Sequence, residues 1–146
     1  LIAKGASGVQ MATRFIGTYE CDAATAFKEV ILQSTRDQIR LMKSPVGMPA
    51  RGVLTALQRD LATGTAPPIR CVGDCLSPCN RGEGAREAGY CIADRLGDAQ
   101  AGNLENGLFF TGSNGWRLQD FLPVRELIGE ITQDFGLVRL AARQGA

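Results

Sequence analysis

Four cysteines, Cys71, Cys75, Cys79 and Cys91, lie close together in the middle of the chain with the spacing C-x₃-C-x₃-C-x₁₁-C. Four thiolates are a ligand set that suits a zinc ion or an iron–sulfur cluster. Neither x₃ gap is the x₂ gap of most zinc ribbons, so free thiols that fill a small Gly- and Pro-rich lobe are the alternative. A structural disulfide is less favoured in a reducing cytosol. The cysteine group is therefore a candidate site for zinc or an iron–sulfur cluster.

The sequence contains no histidine. Catalysis by this chain would have to do without the side chain best suited to proton transfer near neutral pH. We therefore expect Cys21, outside the cysteine group, to be a buried small residue rather than a nucleophile. No pair of carboxylates has a spacing typical of acid–base catalysis, and the sequence has no Walker-type or G-x-G-x-x-G loop.

The charge balance argues against two classes of partner. Sixteen basic and fifteen acidic residues leave a net charge of +1, so no strong field favours nucleic acid or an anionic membrane. No apolar run reaches the roughly 18 residues needed to span a bilayer. With 45% apolar and 21% charged residues, the sequence is typical of a soluble globular protein, and we expect a cytoplasmic location.

The first half of the chain has a strand, helix, strand, helix pattern. Alternating apolar residues predict a short buried strand over residues 8–15, and helical spacing predicts a helix over 24–31. A second strand is predicted at 39–43. The following helix is predicted over 50–61 and ends at Gly64.

The second half begins with an irregular stretch over residues 64–89, which is rich in glycine, proline and cysteine. A short helix is predicted at 92–99, and an apolar strand-like piece at 107–110 is followed by a Gly-Ser-Asn-Gly turn. An amphipathic helix is predicted over 121–135. The last residues, 140–146, are expected to be a frayed tail.

Three stretches together resemble one protein family. They are GASGVQMATRF at residues 5–15, SPVGMPARG at 44–52 and GLFFTGSN at 107–114. In them the chain is similar to the C-terminal part of the nitronate monooxygenases, formerly called 2-nitropropane dioxygenases. The FMN-dependent enoyl-acyl-carrier-protein reductases of the same superfamily are the next nearest. The family's first motif is typically GA-x-GVQ-x-GTRF, and this sequence has Ala12 where glycine is usual.

The resemblance implies an α/β fold, the C-terminal portion of a (β/α)₈ TIM barrel with a mainly helical cap segment. Residues 1–35 would form the last barrel strand and helix. Residues 36–136 would form the cap segments, including a Cys-rich loop at 64–91, and residues 137–146 a tail. A complete barrel takes about 250 residues, so the other strands are expected upstream of Leu1.

The resemblance also implies FMN as the cofactor. In TIM barrels a phosphate group often lies at the loops after the last two strands. The family implies that Gln10, Met11, Ala12 and Thr13 contact the FMN phosphate or lie beside it, Thr13 through its hydroxyl and Ala12 through its N–H. Glycine at position 12 would allow a closer approach of the backbone to the ligand than alanine does.

The function implied is the oxidation of alkyl nitronates or nitroalkanes with O₂, with a catalytic histidine expected upstream of Leu1. An FMN-dependent reductase acting on an enoyl thioester is the sibling alternative, so the partner in either case is a small-molecule substrate. The alternative of another class is a non-catalytic fragment whose cysteine lobe binds a metal or a partner. We expect the 146-residue chain alone to be inactive and to bind FMN weakly if at all.

Two further segments have competing interpretations. The GSNGW stretch at residues 112–116 would either approach the flavin or form a tight turn anchored by Trp116. Arg51 would either pair with a carboxylate or phosphate or be a solvated basic residue. A strand at residues 8–15 also needs a pairing partner, and the candidates are the strand near Ile39, the GLFF segment, or a second copy of the chain in a homo-oligomer.

Overall fold

A computed structural model describes residues 1, 4–71, 75, 79 and 83–144, with side chains up to residue 138. The helices are α1 (Thr13–Ile16), α2 (Thr25–Leu32), α3 (Ala56–Thr63), α4 (Glu83–Ala88), α5 (Ile92–Gln100) and α6 (Val124–Gln144), and the strands are β1 (Ile39–Met42) and β2 (Ala50–Val53). In the described part of the chain, 3₁₀ turns include Arg36–Gln38 and Gly115–Arg117. The chain divides into two compact units. One consists of Leu1–Asp22 with Asp120–Ala146, and the other is Ala23–Gln119.

The two strands of the second unit form an antiparallel pair, with Ile39 opposite Val53 and Met42 opposite Ala50. The strand predicted at 39–43 is confirmed. The helix predicted over 50–61 is wrong in its first part, because residues 50–53 pair with β1 and α3 begins only at Ala56. The residue before it, Thr55, explains this start: its side chain and that of Gln58 form a capping box.

A third extended segment lies along β2. The Val53 N–H donates to the Phe109 carbonyl at 2.9 Å, and the Thr111 N–H donates to the Arg51 carbonyl at 3.2 Å. Gly52 forms an antiparallel bridge with Phe110, and a Cβ at Gly52 would collide with the Phe109 carbonyl. The strand-like prediction for residues 107–110 is thus met by an extended segment whose close approach requires glycine at position 52.

The core of the second unit lies between this small sheet and the helices. One cluster of its buried residues consists of Leu57 of α3, Tyr90, Ile92 of α5 and Leu108. The fully buried Phe109 packs against Phe27 of α2, with the ring centroids 5.3 Å apart. The predicted helices at 24–31 and 92–99 are confirmed as α2 and α5.

The predicted irregular stretch 64–89 contains a helix, α4, at its end. Alanines at 85 and 88 and an acidic residue in the first turn favour this helix. Ala85 is buried and packs against Cys79 and Cys91. Residues 72–74, 76–78 and 80–82 of the stretch lie outside the described part of the chain.

The first unit differs from the prediction at its start. Residues 8–12 have no regular structure and α1 begins at Thr13, so the strand predicted over residues 8–15 is wrong. The side chains of Val9 and Met11 are 46% and 44% exposed. A strand is stabilised by a neighbour that accepts its ladder of hydrogen bonds. The pairing described in this unit is a single parallel bridge between Thr18 and Leu122 instead.

The last helix is longer than the prediction of 121–135. It begins at Val124, whose N–H donates to both carboxylate oxygens of Glu20 at 2.9 and 3.0 Å. A carboxylate at this position satisfies a free N–H and interacts favourably with the helix dipole. The helix continues to Gln144, through most of the predicted tail.

Among the described residues, no helix is both long and apolar enough to cross a membrane.

Candidate functional site

The four residues predicted to contact a flavin phosphate lie at the entrance to α1. Gln10, Met11 and Ala12 are exposed, and Thr13 is half-buried as the first residue of the helix. The Ala12 carbonyl accepts hydrogen bonds from the N–H groups of Phe15 and Ile16, at 2.9 and 3.3 Å. The first N–H groups of a helix have no partner within it. The segment therefore places the backbone N–H groups and the Thr13 hydroxyl at the start of a short helix.

Arg14, the next residue, is engaged elsewhere in the same unit. Its guanidinium forms ion pairs with Asp120 Oδ1 at 3.1 Å and with Glu130 Oε2 at 3.7 Å. It also donates to the Asp120 carbonyl at 3.4 Å. Arg14 is therefore paired with carboxylates. A phosphate at this segment would be bound by uncharged donors, the backbone N–H groups and a hydroxyl.

The four cysteines of the candidate metal site differ in their burial. Cys71 and Cys75 are exposed, whereas Cys79 and Cys91 are buried and pack against Ala85. In the part of the chain that the structure describes, no group of three or more His, Cys, Asp or Glu side chains could hold a metal ion. Two thiols face solvent while the other two fill an apolar cluster, and the zinc or iron–sulfur site stays a prediction.

The GSNGW stretch forms a tight turn. The Gly115 N–H donates to the Gly112 carbonyl at 3.0 Å, and the Leu118 N–H donates to the Gly115 carbonyl at 2.9 Å. Gly115 is buried, and a Cβ there would collide with Thr111 Oγ1. The Arg117 guanidinium lies 5.0 Å from the centroid of the Trp116 ring. This geometry fits the interpretation of a turn anchored by Trp116.

A pocket of about 430 Å³ adjoins this turn and was not anticipated from the sequence. We call it the arginine pocket; its lining residues are Arg36, Ile39, Arg40, Arg51, Ser113, Asn114, Trp116 and Arg117. Arg51 and the GSNGW stretch were candidates from the sequence, whereas Arg36, Arg40 and Arg117 were not. No local pattern in the sequence groups these arginines, because they lie in separate elements of the fold.

A second pocket, of about 520 Å³, lies between the turn at residues 44–49 and α4. Lys43 and Glu87 form an ion pair of 3.0 Å at its edge. The buried Tyr90 donates its hydroxyl proton to the Lys43 carbonyl at 2.6 Å. Burial raises the pKa of Tyr90 to about 12, because the phenolate would lose its hydration. Tyr90 thus ties the end of β1 to the residues between α4 and α5.

The sequence model of one family, described as nitronate monooxygenase, matches residues 1–134. The chain belongs to the nitronate monooxygenase family. Its α/β architecture corresponds to part of the TIM-barrel fold of that family, as the sequence predicted. A search of curated proteins found no match.

Two solved structures are similar to this nitronate monooxygenase family member. FabK from Thermotoga maritima has 25% sequence identity and a TM-score of 0.73, with 99% of this chain and 42% of the FabK chain covered. A mutant of the same protein gives 23% identity and a TM-score of 0.69, covering 99% of this chain and 39% of that one. The chain therefore spans about two fifths of the length of the structures that it matches.

Proposed function

We propose that the protein is an FMN-dependent oxidoreductase of the nitronate monooxygenase type that oxidises alkyl nitronates or nitroalkanes with O₂. The observation that carries this proposal is the family match over residues 1–134. The similarity to FabK supports the wider class of flavin-dependent TIM-barrel oxidoreductases. The exposed entrance to α1 is compatible with a phosphate ligand, which supports FMN as the cofactor.

The residues at this entrance have distinct roles in the proposal. The Thr13 hydroxyl would donate to a phosphate oxygen, and the backbone N–H of Ala12 would approach a second oxygen. Gln10 and Met11 would lie beside the phosphate. When bound, FMN supplies the redox chemistry, and the residues of this chain hold its phosphate end in place.

A second candidate function is the reduction of an enoyl thioester with a nicotinamide cofactor. The similarity to FabK over 99% of this chain favours it. The proton-transferring group is a histidine in the first proposal, and this sequence has none. That step would therefore depend on a residue outside these 146 positions.

We expect the natural polypeptide to bind FMN and Thr13→Ala to weaken the binding at least about tenfold, because a hydrogen bond to a charged group contributes roughly 1.5–3 kcal/mol. Flavin absorption of the purified protein shows whether FMN is bound, and a fluorescence titration with FMN measures the dissociation constant of each variant. Thr132→Ala is the matched control, since the Thr132 hydroxyl donates to the Ile128 carbonyl of its own helix at 2.7 Å.

Oxygen consumption with a nitronate, compared with nicotinamide oxidation driven by an enoyl thioester, distinguishes the two reactions. A polypeptide that binds no flavin would refute both. Normal FMN affinity in Thr13→Ala would refute the phosphate role of Thr13 and leave the family membership intact.

A further inference from the structure

The arginine pocket concentrates positive charge in a protein whose net charge is only +1. Four of its lining residues are arginines, and they come from four elements: Arg36 from a 3₁₀ turn, Arg40 from β1, Arg51 from β2, and Arg117 from the turn after the third extended segment. All four side chains are exposed to solvent. A charge concentration assembled from distant parts of a sequence is a feature of the fold rather than of one basic run.

Backbone hydrogen bonds hold these segments together. The Leu54 N–H donates to the Gln38 carbonyl at 2.8 Å, which joins the 3₁₀ turn to the end of β2. The Thr111 N–H donates to the Arg51 carbonyl at 3.2 Å, which joins β2 to the segment that leads into Arg117. The positions of the arginine backbones are therefore set before any ligand arrives, and this lowers the entropy that binding must overcome.

The charges of these arginines are largely uncompensated. Within the part of the chain that the structure describes, none of the four guanidinium groups forms an ion pair with a carboxylate, and no acidic residue lines the pocket. The nearby carboxylate is Asp37, which accepts a hydrogen bond from the Thr35 hydroxyl at 2.7 Å. This bond is the main cause of its lowered pKa, and Arg40 contributes. Asp37 thus interacts with one of the four arginines, Arg40, without forming an ion pair with it among the described contacts.

We propose that the arginine pocket binds the phosphate groups of a small phosphate ester of about nucleoside diphosphate size. The planar guanidinium fork matches two phosphate oxygens at once, which makes arginine well suited to phosphate recognition. Ser113 and Asn114 add a hydroxyl and an amide as uncharged donors at the rim. A volume of about 430 Å³ is within the range of small-molecule sites.

Trp116 indicates how a nucleotide would be oriented in the pocket. Its half-buried ring lines the pocket, and the Arg117 guanidinium lies over one face of the ring, so an aromatic side chain and a positive charge are in contact there. A nucleotide base can stack on such a ring while the phosphates contact the guanidinium groups. Inorganic pyrophosphate has no base, so it would contact the guanidinium groups alone.

This site goes beyond the proposed flavin function and does not depend on it. The residues assigned to the FMN phosphate, Gln10 to Thr13, belong to the other unit of the chain. A protein without flavin activity could still have the phosphate site. Substitutions at the two places therefore separate the two proposals.

Isothermal titration calorimetry with pyrophosphate and with ADP tests the proposal on the natural polypeptide. We expect the double variant Arg51→Gln/Arg117→Gln to raise the dissociation constant for both probes at least about tenfold, since each lost charge-assisted bond is substantial. The variant Arg51→Lys/Arg117→Lys should lose less, because it keeps both charges. Affinity should fall as salt is raised.

Two control variants locate the binding. Arg59→Gln removes an exposed arginine of α3 outside the pocket and should change the dissociation constant less than about twofold. Thr13→Ala should leave it unchanged. Circular dichroism of each variant checks the fold, and the lysine variant keeps the test decisive if the glutamine variant is poorly folded.

Each outcome has a defined meaning. Tighter binding of ADP than of pyrophosphate supports a nucleotide as the ligand, and equal binding supports phosphate recognition alone. No binding of either probe overturns the proposal. An equal loss in Arg59→Gln shows general surface attraction, and an equal loss in Thr13→Ala places the anion at the flavin segment; either result also overturns it.

Discussion

At the scale of single residues, Tyr90 shows how one buried hydroxyl makes stability depend on pH. Its pKa is raised from 10.0 to about 12 by burial. Between these values the unfolded chain releases the phenolic proton while the folded chain retains it, so stability falls as pH rises. Below pH 10 both states are protonated, and this contribution is fully present.

We therefore expect unfolding free energy to fall by about 2 to 3 kcal/mol more in the native protein than in Tyr90→Phe as pH rises from 10 to 12. Urea unfolding of both proteins across this range measures the difference. Near neutral pH, Tyr90→Phe should cost about 1 kcal/mol for the lost bond to the Lys43 carbonyl. Parallel pH dependence in the two proteins would contradict the assignment.

Among the residues that the structure describes, Arg95 is the charged residue buried most completely, with 2% of its surface exposed. It donates to Asp98 Oδ2 at 2.9 Å and to the Pro68 carbonyl at 3.2 Å, and it lies 3.7 Å from Asp94 Oδ2. Arg70 reaches the same two carboxylates at 3.5 and 3.8 Å, but its side chain is 69% exposed. One arginine is thus part of the interior and the other part of the surface.

We expect Arg95→Ala to lower the unfolding free energy by about 3 kcal/mol, because it leaves two largely buried carboxylates without their main partner. Arg70→Ala, the control, should cost less than about 1 kcal/mol since water screens its ion pairs. Chemical denaturation of both variants measures the two costs. Equal losses would show that burial of Arg95 does not decide its contribution.

At the scale of elements, Gly52 determines how closely the third extended segment approaches β2. A methyl group at this position meets the Phe109 carbonyl, and backbone cannot move aside as a flexible side chain can. Arg51 and Thr111, which share a hydrogen bond, lie directly beside this contact.

Gly52→Ala is therefore expected to destabilise the protein by about 1 to 3 kcal/mol. Gly97→Ala is the matched control, because an added Cβ in α5 meets no atom within 4 Å. Alanine there should stabilise the helix by about 0.5 to 1 kcal/mol. Thermal unfolding gives the sign of each change, and destabilisation by both substitutions would contradict the packing argument.

Helical periodicity in the sequence predicted α2 and α5 well, because their apolar positions recur along one face. It failed at residues 50–53, because Val53 fits the apolar pattern of both a helix and a strand. The pairing of these residues with β1 makes them a strand. Periodicity also failed at residues 8–12. Their alternation suits a strand, but the described residues give them no ladder to join. Non-local pairing of this kind is not encoded in local spacing.

At the scale of the whole molecule, the motif-level resemblance predicted the family and the fold class, both of which are confirmed. The motifs identify the family because they combine glycine, amide and hydroxyl residues in a fixed order. A helix or strand alone would not require that order. The metal site predicted from the cysteine spacing stays a prediction. Whether thiols converge depends on the path of the loop between them, and here two cysteines pack inside while two do not.

The arginine pocket was beyond sequence reasoning for a related reason. A near-neutral total charge conceals a local concentration, since acidic residues elsewhere cancel it in the sum. The fold brings together positions 36, 40, 51 and 117, which no window along the sequence would group.

Trp116 is the single tryptophan of the sequence, and it lines this pocket beside a guanidinium group. The indole fluorescence of the chain therefore has one source, at a known place. The emission wavelength of the indole depends on how much water reaches the ring, and the emission intensity depends on the charges next to it. The protein carries an optical probe of its own, and no dye or tag is needed to follow events at this turn.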